Sequence, residues 1–425
     1  MKCFIGLGSN QGDRKQTLEF AIQKLNLIST NGKIIISPIY ESSALIPIGA
    51  PKEWGEASYL NAVIQIEWSL SSMELLLELK QIEKDLGRIT APRWAPRIID
   101  LDLLTFGDEV IDSENLKIPH PEILHRSFVL DPLKDLASTY QLPRTQKSVC
   151  VLARRLKSHT PLIMGILNLT PDSFSDGGVN LVTQNLESNL NKMLELEIPI
   201  VDLGAESTRP GAKMISIQEE WRRLEPALQY THQFFKNKSF RPIISIDTSK
   251  PEIAERALSM GVTMINDVSG LAHLKMRGLV KESGCDFIFM HSLTQPANPD
   301  VCWSKTVDPI QELKIWIEEK MKLFEKEGLD LDRAIFDPGI GFGKTALQSI
   351  AILRRLDEFS ELPVRILIGH SRKSFIKAWN ISSPQLRDSA TLSVSLAIKN
   401  KGIDILRVHD FESHKIALQS FQEIL

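Results

Sequence analysis

The alternation of apolar and polar positions changes character part-way along the chain. Up to about residue 158, short apolar runs alternate with stripes of helical period. Residues 2–5 form an apolar run, and Leu18, Ala21, Ile22 and Leu25 then recur at helical spacing until Gly32. Ile34–Ile36 and residues 60–67 are β-branched and apolar, which predicts strands. Ser71 and Glu74 are spaced as a capping box; they open a helix with the stripe Leu75, Leu79, Ile82 and Leu86, stopped by Gly87. Residues 98–106 predict another strand and 147–157 a closing helix. Such a mixture predicts an α+β or α/β layered domain over residues 1–158.

From residue 159 the rhythm is regular. Apolar runs ending in polar residues recur at 164–168, 199–202, 242–247, 262–266, 286–291, 334–337, 364–371 and 404–409. Helical patterns such as 309–326 and 386–399 separate most of them. Roughly 260 residues with eight strand–helix units predict an α/β (β/α)8 barrel, whose site lies at the C-terminal ends of its strands. A doubly wound sheet would not need a polar residue after every strand. The boundary is read at Ser158-His159-Thr160-Pro161, a polar stretch closed by a proline that cannot continue a helix. The barrel domain is therefore expected over residues 159–425.

Composition adds exclusions. The 425 residues are too many for one ordinary domain, and 43% hydrophobic with 24% charged residues suits globular cores. A net charge of −3 gives no reason to expect nucleic-acid or membrane partners. Cys3, Cys150, Cys285 and Cys302 have no metal-ligand spacing and suggest no disulfide framework. The N-terminal run is broken by Gly6 and Gly8, so no signal peptide is read, and no window reaches the ~18 apolar residues of a membrane span. The expected location is the cytoplasm.

Asp100 and Asp102, two apart in a predicted strand, point to one face. Alone, such a pair is more often a solvent-facing edge. Just upstream, however, Gly87-Arg88-Ile89-Thr90-Ala91-Pro92-Arg93-Trp94-Ala95-Pro96-Arg97 sets three arginines in a proline-rich loop. Carboxylates beside arginines suit Mg²⁺ and phosphate.

This string, with Gly8-Ser9-Asn10, Tyr59-Leu60-Asn61, Pro119-His120-Pro121 and Arg126-x-Phe128, resembles 6-hydroxymethyl-7,8-dihydropterin pyrophosphokinase across residues 1–158. The resemblance implies a ferredoxin-like α+β fold and transfer of pyrophosphate from ATP to the pterin hydroxymethyl group. It implies that Asp100 and Asp102 bridge two Mg²⁺. Glu83, Arg88, Arg93, Arg97, His120 and Arg126 would serve ATP, and Ser43, Leu45, Tyr59, Asn61 and Phe128 would hold the pterin.

In the second half, Asp337-Pro338-Gly339-Ile340-Gly341-Phe342-Gly343-Lys344-Thr345 nearly spells a phosphate loop, but Pro338 stands where its first glycine is needed. Met164 to Gly178, Asp202-Leu203-Gly204-Ala205-Glu206-Ser207-Thr208-Arg209-Pro210-Gly211, Ile246-Asp247-Thr248, Ile265-Asn266-Asp267, Ser371-Arg372-Lys373-Ser374 and Arg407-Val408-His409-Asp410 together resemble dihydropteroate synthase. That resemblance implies condensation of the pterin pyrophosphate with p-aminobenzoate. Asp247, Asn266, Met290, Asp337 and Lys373 would hold the pterin. Asn168, Arg407 and His409 would hold the pyrophosphate and one Mg²⁺, and Thr208, Arg209, Pro210, Phe342 and Ser371 the arylamine.

Two other readings stand beside this one. A pterin-binding methyltransferase barrel would share Asp247, Asn266 and Asp337 without needing Ser371-Arg372-Lys373, Arg407 or His409. A non-catalytic pterin-binding scaffold would have lost Asp100, Asp102, Lys373 or Arg407, and all four are present. The expected partners are small molecules, and a homodimer through the barrel half is compatible with the sequence.

Overall fold

The computed structural model describes the chain except residues 45–50, 90, 93–94, 157–158, 170–177, 208–213, 239, 299, 380–383 and 425. It forms two compact units, Met1–His159 and Thr160–Leu425.

In the first unit, β1 (Lys2–Ser9), α1 (Arg14–Ile28), β2 (Ile34–Ile36), β3 (Tyr40–Ser42), β4 (Tyr59–Glu67), α2 (Ser72–Asp85) and β5 (Asp100–Phe106) succeed one another. The sheet runs β2-β4-β1-β5 with antiparallel neighbours, β3 also pairs with β4, and β6 (Ile111–Asp112) and β7 (Lys117–Ile118) form a separate antiparallel pair. This is the ferredoxin-like order. The capping box forms as its spacing predicts: Ser71 Oγ accepts from the Glu74 amide at 3.3 Å, and Glu74 Oε2 accepts from the Ser71 amide at 2.9 Å. Strand β1 runs to Ser9, beyond the expected residue 5, despite Gly6 and Gly8. Being paired on both sides, to Leu60 in β4 and Asp100 in β5, outweighs the low strand propensity of glycine.

One face of the sheet is covered by α1 and α2, which bury Leu18, Ala21, Leu25, Leu75 and Leu79 completely. Each buried leucine contributes about 1.5–3 kcal/mol. Helices α3 (Ser127–Leu136) and α4 (Val149–Arg154) cover the other face through Leu130, Leu133, Val149 and Ala153. The closing helix is thus shorter than expected. Buried Asp131 of α3 hydrogen-bonds His159 Nδ1 at 2.5 Å, and Lys134 Nζ lies 3.6 Å from the same carboxylate. His159 therefore belongs to the first unit. A fragment of residues 1–159 should fold alone and melt higher than one ending at Lys157, by about 1–3 kcal/mol of stability for the lost partner of a buried acid. Thermal melts of the two fragments check this; identical midpoints would contradict it.

In the second unit, β8 (Leu162–Asn168), β9 (Ile200–Gly204), β10 (Ile243–Asp247), β11 (Met264–Asp267), β12 (Asp286–Met290), β13 (Ala334–Asp337), β14 (Arg365–Ile368) and β15 (Ile405–Val408) close a parallel barrel. Helices alternate with them: α5 (Gly178–Glu195), α6 (Ile217–Phe235), α7 (Pro251–Ser259), α8 (Leu274–Ser283), α9 (Pro309–Glu327), α10 (Ala346–Arg354), α11 (Pro384–Ile398) and α12 (Phe411–Ile424). Helix α9 begins with Asp308 capping the Ile310 amide and Pro309 at its first position, and it ends at left-handed Gly328. The barrel interior is plugged by Met164, Ile200, Met264, Ile288, Ile335, Leu367 and Ile405. Because strand side chains alternate, residues two further along face the same way. Those residues are Ile166, Asp202, Asn266, Met290, Asp337, Gly369 and Arg407. The apolar plug thus hands over, on four of the seven strands, to the polar side chains Asp202, Asn266, Asp337 and Arg407 in a single step.

Candidate functional sites

In the first unit a cavity of about 330 Å³ brings together Ser43, Tyr59, Asn61, Arg97, Asp100, Asp102, His120, Arg126 and Phe128. Strand pairing accounts for the arrangement: Asp100 lies opposite Gly8 and Asp102 opposite Gly6, so side-chain-free backbone faces both carboxylates. Arg88 Nη1 donates to Asp100 Oδ1 at 2.7 Å, and Arg97 Nη1 donates to Oδ2 at 3.0 Å. Burial and the Asp100 charge push the Asp102 carboxyl above the usual range. A cation joining the two acids would relieve both effects. Among the described residues no cluster of three or more metal-capable side chains occurs, but Mg²⁺ is commonly bound through only one or two carboxylates.

His120 Nδ1 accepts from the Glu122 amide at 3.2 Å, and burial holds its pKa below normal. Its neutral ring therefore carries the proton on Nε2, a donor for phosphate oxygens. Asn61 Nδ2 donates to Ser42 Oγ at 2.9 Å, which leaves its amide oxygen for a ligand. Glu83 and Arg88 are not among the cavity-lining residues. Glu83 is buried, pairs with Arg88 and accepts from the Leu101 amide at 2.7 Å. It holds the arginine and the strand carrying the two aspartates. Leu45 and Arg93 lie outside the described residues.

In the barrel the polar layer is knitted by ions. Arg407 Nε donates to Asp202 Oδ2 at 2.7 Å, and Nη2 donates to Asp247 Oδ2 at 2.6 Å. Asp202 also accepts from Ser245 Oγ at 2.6 Å and from Asn266 Nδ2 at 3.2 Å. Burial pushes the Asp247 carboxyl up to about 7 even with Arg407 beside it, and Asp247 Oδ1 is buried with no hydrogen-bond partner among the described residues. Burial raises Asp337 as well, against the Gly339 amide, which donates to its Oδ1 at 2.8 Å. Only glycine fits at 339: its φ is +65°, and a Cβ would come within 2.0 Å of the His291 carbonyl oxygen. Gly204 likewise leaves room for Asp247, whose Cβ would stand 3.3 Å from an added methyl.

Above this layer Ser371 Oγ lies 3.0 Å from His409 Nδ1, and Asn168 Nδ2 lies 3.4 Å from His409 Nε2. Lys373 Nζ sits 3.9 Å over the Phe342 ring. Beside Asp247 and Phe342 opens a cavity of about 510 Å³. Lys250 on its wall pairs with Glu206 at 2.9 Å and with buried Glu220. Glu206 also accepts from the Ile215 amide at 2.6 Å. Thr208, Arg209 and Pro210 lie outside the described residues.

Several functional groups escape sequence reasoning. Asp202 stands in a quoted motif, but its role depends on Arg407, 205 residues away. Lys344 is buried 2.9 Å from His291 Nδ1; burial lowers the lysine to about 7 and the histidine to about 2. Lys344 also donates to the Phe342 carbonyl at 2.9 Å and so fixes the loop that carries Phe342.

Comparison with known proteins follows the same division. Residues 4–138 match the family model of 7,8-dihydro-6-hydroxymethylpterin-pyrophosphokinase, and residues 164–409 match that of the pterin binding enzymes. A folate synthesis bifunctional protein of Chlamydia muridarum is 37% identical over 97% of this chain and 96% of its own. The chain belongs to the bifunctional folate-synthesis proteins. It is an enzyme with both domains, and it carries two consecutive steps of folate biosynthesis. A mitochondrial member of this family from Pisum sativum is 32% identical over 99% of this chain and 89% of its own. The barrel resembles dihydropteroate synthase of Clostridium difficile, solved with pteroic acid, at 35% identity and a TM-score of 0.57, over 63% of this chain and 97% of that one. The Thermus thermophilus enzyme, solved with 4-aminobenzoate, is 33% identical with a TM-score of 0.54, over 64% and 98%.

Proposed function

We propose that residues 1–159 transfer pyrophosphate from ATP to 6-hydroxymethyl-7,8-dihydropterin, and that residues 160–425 join the product to p-aminobenzoate. In the first reaction the pterin hydroxyl oxygen attacks the β-phosphorus and gives up its proton to water, the bond from the β-phosphorus to the α-phosphate oxygen breaks, and AMP leaves. Tyr59, Asn61 and Phe128 hold the pterin. Arg97, His120 and Arg126 surround the phosphates; Arg93, which the sequence resemblance assigns to the same role, lies outside the described residues. Asp100 and Asp102 would hold two Mg²⁺, which neutralise developing charge on the phosphates. Stoichiometry gives a direct test. Pterin-dependent release of AMP from ATP supports this reading, and release of ADP contradicts it.

The observation that best supports the second reaction is the buried Oδ1 of Asp247, which has no hydrogen-bond partner among the described residues and lies on the strand next to that of Asn266. An orphaned acceptor costs about 1–3 kcal/mol, and an N–H of a pterin ring would recover it. The Arg407 guanidinium spans Asp202 and Asp247 and gives its Nη1 no partner among the described residues, leaving that donor for the leaving oxygen. His409 and Ser371 add donors to the same anion. Asn168 offers one amide oxygen, which suits a Mg²⁺ carried in on the pyrophosphate. As the C–O bond breaks, these cations and donors stabilise the departing charge. The arylamine lone pair then forms the C–N bond at the pterin methylene, and the amine proton leaves to the released pyrophosphate or to water. Arg209 would serve the arylamine.

Asp247 must be ionised to accept from pterin N–H groups with both oxygens. A pterin without phosphates should therefore bind more tightly as pH rises from about 6 to about 8, across the range in which this raised carboxyl ionises. Calorimetric titration at several pH values checks this, with Asp247→Asn expected to bind weakly and without that dependence. A pH-independent affinity in the unmodified protein would contradict it.

Among the described residues no helix is long and apolar enough to cross a membrane. The four cysteines are free, three of them buried, which supports a reducing compartment such as the cytoplasm. A homodimer through the barrel domain remains part of this proposal.

A further inference from the structure

The two loops that carry Ser371, Lys373 and His409 are gripped from behind by a chain of buried polar side chains. Arg372, between Ser371 and Lys373, has φ +57°, a left-handed conformation that a non-glycine residue rarely adopts and that persists only when its surroundings enforce it. Helix α11 supplies the enforcement. Thr391 Oγ1 accepts from the Arg372 amide at 3.3 Å, and Asp388 takes the Arg372 guanidinium in two hydrogen bonds of 2.7 and 2.8 Å. His370 Nε2 lies 3.2 Å from the Thr391 carbonyl oxygen and 3.0 Å from Ser395 Oγ. Ser395 Oγ lies 2.9 Å from His414 Nε2, and His414 Nδ1 lies 2.6 Å from the carbonyl oxygen of Asp410, next to His409. Ser395, His370 and His414 are all fully buried.

The proton positions follow from the partners. A carbonyl can only accept, so His414 carries its proton on Nδ1 and presents a bare Nε2. Ser395 must therefore donate to His414. His370, facing the Thr391 carbonyl, carries its proton on Nε2 and can donate to Ser395 as well. Burial holds both imidazoles neutral, as this scheme requires. On the site side the circuit closes through Ser371 Oγ, which accepts from the His409 amide at 3.3 Å.

We infer that Ser395 is a positioning residue for the synthase reaction: its hydroxyl links the β14 loop to the β15 loop and sets the spacing of Lys373, Ser371 and His409 around the pterin pyrophosphate. The inference rests on the reading of those three residues given above. Ser395 itself touches no substrate.

Steady-state kinetics on the full chain with supplied pterin pyrophosphate test it. Ser395→Ala is expected to raise the KM for pterin pyrophosphate about 5- to 20-fold, with the KM for p-aminobenzoate within about twofold of the parent. The pyrophosphokinase activity of the same protein should not change, and Ser395→Thr, which keeps the hydroxyl, should restore most of the loss. Asp388→Ala loosens the same turn from a partly exposed position and should raise the same KM about two- to fivefold; it decides the matter if Ser395→Ala does not fold. Unchanged kinetics in folded Ser395→Ala would overturn the inference. So would equal losses for both substrates that Ser395→Thr does not repair, since a merely structural role predicts that pattern. Lys373→Met separates the two levels. If it leaves the pterin pyrophosphate KM unchanged, the reading of the loops fails and the Ser395 inference with it. If it raises that KM while Ser395→Ala does not, the Ser395 inference alone fails.

Discussion

Asp102→Ala is expected to abolish pyrophosphoryl transfer, a loss of at least about 10³-fold, while synthesis of dihydropteroate from supplied pterin pyrophosphate stays at the parental rate. Asp100 has both oxygens taken by Arg88 and Arg97, so Asp102 is the carboxylate better able to turn an oxygen to a metal ion. The protein should remain folded, because burial already disfavours the ionised form of Asp102 and its removal relieves repulsion with Asp100. The two activities are expected to separate because each unit has its own cores and its own cavity. Loss of both activities in a protein with an unchanged melting profile would contradict independent sites.

Arg407→Ala should lower the synthase kcat by about 10²–10³, the cost of one donor of about 2.7–4 kcal/mol that acts mainly on separating charge. It should also weaken the barrel. Asp202 and Asp247 are buried and share this one guanidinium, and stripping a buried pair of one partner costs about 3–5 kcal/mol. Arg209→Ala should instead raise mainly the KM for p-aminobenzoate. Pyrophosphate release with the arylamine omitted distinguishes them: it should persist in Arg209→Ala and fail in Arg407→Ala. Equal release from both variants would contradict separate handling of leaving group and amine.

Much of this was legible in the residues. The eight polar-ended runs predicted the barrel, because a strand that plugs a barrel with Ile335 must present Asp337 to the same interior two residues on. The capping box at Ser71 and the carboxylate pair at Asp100 and Asp102 were legible for the same reason: short-range geometry follows from spacing. What could not be read was anything set by distant neighbours. Strand β1 outruns its apolar segment because two flanking strands pair with it. Asp202 becomes the partner of Arg407 only when the barrel closes. Glu83 was expected at ATP, whereas the fold buries it behind Arg88. The His370–Ser395–His414 chain joins one loop to two helices, and none of its members carries a recognisable spacing.

The coupled reaction tests the assignment most directly. The full chain is incubated with ATP, Mg²⁺, 6-hydroxymethyl-7,8-dihydropterin and labelled p-aminobenzoate. Label is expected to appear in dihydropteroate, with one AMP and one pyrophosphate formed per product, and Asp102→Ala should require supplied pterin pyrophosphate for the same result. Failure to form labelled dihydropteroate from the hydroxymethyl pterin, by a folded protein that binds both ATP and the pterin, would contradict the assignment of two consecutive reactions to this chain.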